Sequence, residues 1–205
     1  MPNVELIHEV NIKRKAVAFT FDDGPNPVYT PQVLEIFSEA GAKATFFMIG
    51  SQMELHPELV KLAYEQGHEI GNHTFTHPGL PELHKQEIKD ELIQTDSLIE
   101  KITGTGPKVF RPPYFAYNEL VAGIVGEMGY PVIGAVNGEA TDWEMPGVEH
   151  IVDKSREQVR PGSILIFHDG YDDRSQTVEA VRILVTELTA EGYELVTVSE
   201  LLRSI

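Results

Sequence analysis

The sequence predicts an α/β fold in which about seven parallel strands are arranged as a distorted (β/α) barrel. Three observations predict it. Short β-branched and aromatic runs alternate with longer stretches of helical period, as in strand and helix units around a parallel sheet. The phrase helix, glycine, short strand recurs in EAGAKATFF, EQGHEIGNH, EMGYPVIGAV and AEGYELVTV. The unusual polar residues fall at the carboxyl ends of strands, the rim on which parallel α/β folds carry their working residues. An open, doubly wound sheet is the alternative arrangement. No Gly-x-Gly-x-x-Gly or Walker loop follows a strand, so a nucleotide-binding form of it has no support.

The elements follow in order. AVAFTF (16–21) is the first strand, and the helix over 30–40 that follows it stops at Gly41. KATFFMI (43–49) is the second strand; a helix over 57–66 then stops at Gly67 and leads into HEIGN (68–72). A long helix over 84–103 ends at Gly104 before KVFR (108–111), and another over 118–128 ends at Gly129 before PVIGAV (131–136). The helix over 148–159 precedes SILIFH (163–168), and the last unit is a helix over 175–190, Gly192 and ELVTVS (194–199). A glycine at the end of a helix suits a C-terminal cap in which the chain turns left-handed.

Composition narrows the chemistry. At 205 residues, with no stretch resembling a linker, the chain is expected to form one domain over 1–205. Its formal charge of −16 disfavours nucleic acid or an anionic membrane surface as partner and suits a neutral substrate. The absence of cysteine excludes disulfides, thiolate nucleophiles, iron–sulfur clusters and cysteine-built zinc sites, so a metal must sit on histidine and carboxylate. No apolar run reaches the length of a membrane span, and MPNVELIHEVNIKRK lacks the apolar core of a signal peptide. With Met1 as the native start the protein is expected inside the cell; with a leader removed, outside it or in the cell wall.

The strand ends carry the candidate residues. The first strand closes on Asp22 and Asp23, and the following Gly24-Pro25 supplies a turn that lets two successive carboxylates face different tasks. The third runs into His73-Thr-Phe-Thr-His77, whose four-residue spacing puts both imidazoles on one side of a helical turn, within reach of one ion. Each motif alone also suits a surface turn or a pair of ordinary histidines. Together they make a two-histidine, one-carboxylate set with open positions, the make-up of a catalytic zinc centre and equally of a non-haem iron site.

Arg111-Pro112-Pro113-Tyr114 closes the fourth strand. The prolines remove donors and leave the Tyr114 N–H as the next free one, rigidly held and suited to an oxyanion; a stiff loop with Arg111 exposed is the plainer alternative. Asp142 and Trp143 follow the fifth strand, and a core tryptophan is the plain reading of Trp143 taken alone. His168 ends the apolar run ILIF, where desolvation lowers its pKa unless a carboxylate restores it, and Asp142 is the candidate partner.

Taken in order, these motifs from Thr20 to His168 resemble the polysaccharide deacetylases with the NodB homology domain, carbohydrate esterase family four. The resemblance implies a NodB-like distorted barrel and metal-dependent hydrolysis of N-acetyl or O-acetyl groups on glycans. It implies Asp22 as base, Asp23, His73 and His77 as ligands of one divalent ion, and Arg111 as the residue that holds the base. Tyr114 would supply the backbone oxyanion donor, Asp142 would tune the acid His168, Trp143 would wall the site, and Ile166 would line the acetyl pocket. Zinc is the implied ion, with cobalt a workable substitute.

Two positions depart from the family pattern: Glu139, where Asp is usual, and Phe115, where Gly is common. Neither touches the metal set; both bear on the groove. The function expected is deacetylation of N-acetylglucosamine-containing glycans, chitin oligosaccharides or peptidoglycan, by a monomer. Acetylxylan esterase activity, a non-catalytic glycan-binding role and a non-haem iron oxygenase are the alternatives.

Overall fold

All seven residues of β1 (Ala16–Asp22) are buried, as a strand at the centre of a parallel sheet must be. Its two faces divide by the strand period of two. Val17, Phe19 and Phe21 join Phe37 and Phe167 in the layer beneath the outer helices. Ala16 and Ala18 face the barrel interior with Phe47, Val109, Ile133 and Ile164. On that face Thr20 and Asp22 come next, so the alternation that hides the phenylalanines delivers Asp22 to the interior at the strand end.

The structure is a computed structural model that describes residues 5–204; residues 1–4 and 205, the ends of the expected 1–205 domain, lie outside the described residues. β2 (Thr45–Met48), β3 (Glu69–Asn72), β4 (Ile164–His168) and β5 (Glu194–Leu195) join β1 in one parallel sheet of order β3-β2-β1-β4, with β5 beside the start of β1. The register sets Asp22 opposite Phe47 on one side and His168 on the other.

KVFR and PVIGAV, expected as strands, make only single parallel bridges, Asn72 with Phe110 and Phe110 with Val132. Pro112 and Pro113 end the first run and Pro131 opens the second, and proline gives a ladder no N–H. Backbone bonds still lead round that wall, from Asn72 N–H to Val109 (3.0 Å), Ile133 N–H to Phe110 (2.9 Å) and Val136 N–H to Ile164 (2.9 Å). Ile7, given no element by the sequence, bridges Ile133. The barrel is therefore a distorted one, regular over five strands and irregular between β3 and β4.

Outside the sheet lie α1 (Thr30–Glu39), α2 (Gly50–Leu55), α3 (Pro57–Glu65), α4 (Lys85–Thr103), α5 (Glu119–Met128), α6 (Val148–Arg156), α7 (Ser175–Ala190) and α8 (Val198–Leu202). Gly41, Gly67, Gly104, Gly129 and Gly192 all have positive φ, consistent with the left-handed caps read from the sequence. α6 stops at Arg156, short of the expected 159. ELVTVS is corrected more deeply, since only its first two residues are strand. Thr197 accepts the Glu200 N–H at 3.2 Å while the Glu200 carboxylate accepts the Thr197 N–H at 3.0 Å, a capping box that starts α8 and overrides the β-propensity of Val196 to Val198. Among the described residues no helix is long and apolar enough to cross a membrane.

α2 was not expected, and it matters for the site. Its first N–H groups, from Gly50 and Ser51, donate to the carbonyls of Thr74 (3.0 Å) and Phe75 (2.9 Å) in the loop after β3. A Cβ on Gly50 would stand 2.9 Å from the Phe75 Cα, so only glycine allows that approach.

Candidate functional site

β1 gives way to loop at Asp22, and Asp23 takes a left-handed backbone with φ 73°. That reversal separates the two carboxylates. Asp22 points inward, where its Oδ1 accepts Arg111 Nη1 at 2.7 Å. Asp23 turns toward the histidines after β3, its Oδ1 lying 3.1 Å from His77 Nε2 and 3.4 Å from His73 Nε2.

The HTFTH segment is not the helical turn that its spacing suggested. Thr74 and His77 have φ of 67° and 62°, and the segment is an irregular loop. Side chains clamp it: Glu91, on α4, accepts the N–H groups of Phe75 (2.7 Å) and Thr76 (2.8 Å) and the Thr76 hydroxyl (2.6 Å). Asn72 Oδ1 accepts the Thr74 N–H at 2.8 Å, and the Thr74 hydroxyl accepts the His77 N–H at 3.1 Å. A carboxylate that takes two successive backbone N–H groups holds a loop more tightly than neutral acceptors do.

The chemistry of this donor set calls for a cation. His73 Nδ1 lies 2.8 Å from the Arg111 carbonyl, an acceptor only, so Nδ1 carries the proton and Nε2 presents a lone pair. Asp23 Oδ1 is buried without a hydrogen-bond partner among the described residues. Ligand atoms of Asp23, His73 and His77 lie within 4.8 Å of one another. Lone pairs converging in a buried space repel unless a positive ion stands between them, so the residues fit a divalent metal.

Arg111 is fully buried, contrary to an exposed loop. Its Nη1 reaches Thr20 Oγ1 as well as Asp22 at 2.7 Å, Nη2 donates to the Gly134 carbonyl at 2.8 Å and Nε to that of Ile133 at 3.2 Å. Asp22 Oδ2 is left facing the Asp23, His73 and His77 group, 3.7 Å from His73 Nε2.

On the other side His168 Nδ1 lies 2.8 Å from Asp142 Oδ1, while the His168 N–H (2.8 Å) and the Thr177 hydroxyl (2.9 Å) donate to Oδ2. Burial disfavours a charged His168, but Asp142, and more weakly Asp22 and Asp23, outweigh it and raise the pKa to about 9. The carboxylate sought for this histidine is therefore in contact with it. Trp143 is 43% exposed and no core residue; its ring stands edge-on to His168 at 5.3 Å.

A cleft of about 410 Å³ opens above these groups, walled by Pro112, Tyr114, Phe115, Trp143 and Ile166. Eight of the ten residues named from the sequence line it, and Arg111 and Asp142 sit one layer behind. The Tyr114 N–H has no backbone partner among the described residues, and the Tyr114 hydroxyl lies 3.2 Å from His77 Nδ1. Glu139 is exposed, in the short turn Gly138–Ala140 ahead of Asp142.

Comparison with known proteins accords with this geometry. The family model "Polysaccharide deacetylase" matches residues 9–133. A peptidoglycan-N-acetylglucosamine deacetylase of Bacillus cereus is 42% identical over 196 residues, spanning 95% of this chain and 92% of the relative. The chain belongs to the polysaccharide deacetylase family. A chitooligosaccharide deacetylase of Azorhizobium caulinodans is 36% identical, with 89% of this chain and 92% of the relative covered. The solved structure of the peptidoglycan deacetylase PdaC from Bacillus subtilis superposes with a TM-score of 0.86 at 34% identity, covering 95% of this chain and 93% of that one.

Several residues of this polysaccharide deacetylase escaped sequence reasoning. Thr20 was legible, since it precedes Asp22 by one strand period. Glu91 and Thr177 were not, being single polar residues within helical stretches. Their partners lie 15 or 16 residues away for Glu91 and 35 away for Thr177. Asp169 is fully buried, takes the Thr30 hydroxyl at 2.5 Å, and burial raises its pKa to about 7. The adjoining Gly170 allows the close approach of this loop to Asp23, because a Cβ there would meet the Asp23 carbonyl oxygen at 2.0 Å.

Eight non-glycine residues have positive φ among the described residues: Asp23, Thr74, His77, Tyr114, Phe115, Thr141, Met145 and Tyr171. All lie in the loops around the cleft. Such backbones cost about 1–2 kcal/mol apiece, and strain of this kind gathers where function enforces it.

Proposed function

We propose that this polysaccharide deacetylase is a monomeric, zinc-dependent enzyme that hydrolyses N-acetyl groups of N-acetylglucosamine-containing glycans, chitin oligosaccharides or peptidoglycan, with cobalt able to replace zinc. One observation carries the reading: three side chains able to hold a metal, Asp23 among them with a buried unpaired oxygen, share one cleft with a carboxylate that has one free oxygen and a histidine bonded to Asp142.

Asp23, His73 and His77 would hold the ion, which when bound acidifies water and polarises a carbonyl oxygen. Asp22 is the base. Arg111 occupies Oδ1 and orients the carboxylate, leaving Oδ2 to take the proton of the attacking water. The N–H of Tyr114 would donate to the tetrahedral oxyanion; loss of one such donor costs roughly a hundredfold in rate. Ile166 and Trp143 give the acetyl methyl group an apolar wall.

His168 supplies the proton to the departing nitrogen. Its Nδ1 is committed to Asp142, so Nε2 is the atom left for transfer. With a pKa near 9 the imidazole stays protonated at neutral pH. An amine leaves poorly without that proton whereas an alkoxide needs it less, which favours an amide substrate over the ester of acetylxylan. A binding-only role leaves Asp22 and His168 without a task, and an oxygenase has no use for the acid.

The test is acetate release from chito-oligosaccharides, peptidoglycan and acetylated xylan, with and without added zinc. Zinc-stimulated release from the first two is expected. Equal rates in metal-free protein, or release from xylan alone, would overturn the proposal.

A further inference from the structure

Tyr114 and Phe115 are consecutive non-glycine residues with left-handed backbones, φ 58° and 51°. For a bulky side chain this conformation is an outlier, because Cβ crowds the following carbonyl. Burial does not account for it at Phe115: the residue is 37% exposed and its ring lines the cleft. Nor is Phe115 needed to cover Arg111. Its ring centroid lies 5.7 Å from the guanidinium carbon, while Phe47 already packs against that carbon at 4.3 Å and Arg111 is wholly buried. A strained backbone therefore presents a large apolar ring to solvent on the Arg111–Asp22 side of the cleft, and Trp143 presents another on the His168 side.

An exposed aromatic face at the mouth of a polar catalytic floor gains most when a second apolar face covers it and displaces water. Pyranose rings have such faces, built from C–H bonds, and carry no charge to be repelled by a chain of net charge −16. We propose that Phe115 is a specificity-determining residue: its ring is the platform on which the sugar unit next to the one losing its acetyl group stacks. This rests on the deacetylase reading and adds to it a grip on the glycan chain outside the reacting unit.

The test compares wild type, Phe115→Gly and Phe115→Tyr with the pentamer of N-acetylglucosamine in the zinc-loaded enzyme. Glycine accepts the left-handed backbone without strain, so Phe115→Gly removes the ring and keeps the loop. A rise in KM of about 5- to 10-fold is expected for Phe115→Gly, with kcat within about twofold, in line with the loss of one aromatic stacking contact. Zinc affinity should be unchanged, and Phe115→Tyr should restore the wild-type KM. An unchanged KM, a Phe115→Tyr as impaired as Phe115→Gly, or a fall in kcat matching the rise in KM would overturn the assignment, the last by showing that the ring acts through Arg111 and Asp22. If wild type releases no acetate from any glycan, the deacetylase reading fails instead. Calorimetric titration of the pentamer into wild type and Phe115→Gly then decides on the platform alone, equal affinities refuting it.

Discussion

Asp142→Asn exchanges one oxygen for an amide nitrogen at the residue that carries His168. Burial alone would push the His168 pKa below its ordinary 6.5, and the nearby carboxylates, Asp142 foremost, bring it to about 9. That difference corresponds to about 3 kcal/mol of preference for the imidazolium, at about 1.4 kcal/mol for each tenfold change. Asparagine keeps the volume and one acceptor but removes the charge, so the pKa is expected at or below 6.5. At pH 8 the native imidazole of the metal-free protein is then about nine-tenths protonated and the variant's about 3%, a roughly 30-fold loss of the acid form, while at pH 6 the two differ by less than about twofold.

The assay is kcat/KM for acetate release from a chito-oligosaccharide between pH 5 and 10 with zinc saturating. The expected result is a basic limb that moves to lower pH in the variant. Stability follows with a defined sign. A histidine whose folded pKa is raised contributes fully below its unfolded value of 6.5 and loses that contribution as pH rises through about 9, so the native protein should weaken across that window more than the variant does. A basic limb that stays in place in a folded Asp142→Asn protein would refute His168 as the acid.

Asp22→Asn should still bind one zinc by metal analysis yet lose at least about a hundredfold in kcat, and in urea unfolding it should lose about 3 kcal/mol because the buried Arg111 is left without its anion. His73→Ala should lose the metal itself; retention of stoichiometric zinc would remove it from the ligand set. Glu91→Gln leaves the loop of both histidines short of charged acceptors, and competition with a chelator should show zinc bound about 10- to 100-fold more weakly. Asp169 has a folded pKa raised to about 7 from 3.8, so its ionisation opposes folding increasingly as pH climbs through that range. Thermal melts of Asp169→Asn should therefore show less loss of stability between pH 4 and 8 than wild type, and identical pH dependence would contradict the assignment.

The sequence by itself determined the residue types at the strand ends, the alternation of β1 that sends Asp22 inward, and the glycines that stop the helices. Each depends on local rules of period, turn and cap that act within a few residues. The lacing of those residues was decided only in the tertiary structure. HTFTH has the spacing of a helical turn, but Glu91 from α4 and the N–H groups of α2 hold it as a loop. Arg111 reads from its own neighbours as exposed or buried alike, and becomes buried because carbonyls of the irregular wall and a carboxylate 89 residues away accept its donors. The missing strand regularity after Val109 and the capping box at Thr197 were written in Pro112, Pro113, Pro131 and Glu200, where a local signal competed with β-propensity and won. Periodicity reports which face of an element is buried; it carries no record of which partner that face meets. For this reason the candidate ligands were legible, while the residues that orient them had to come from the fold.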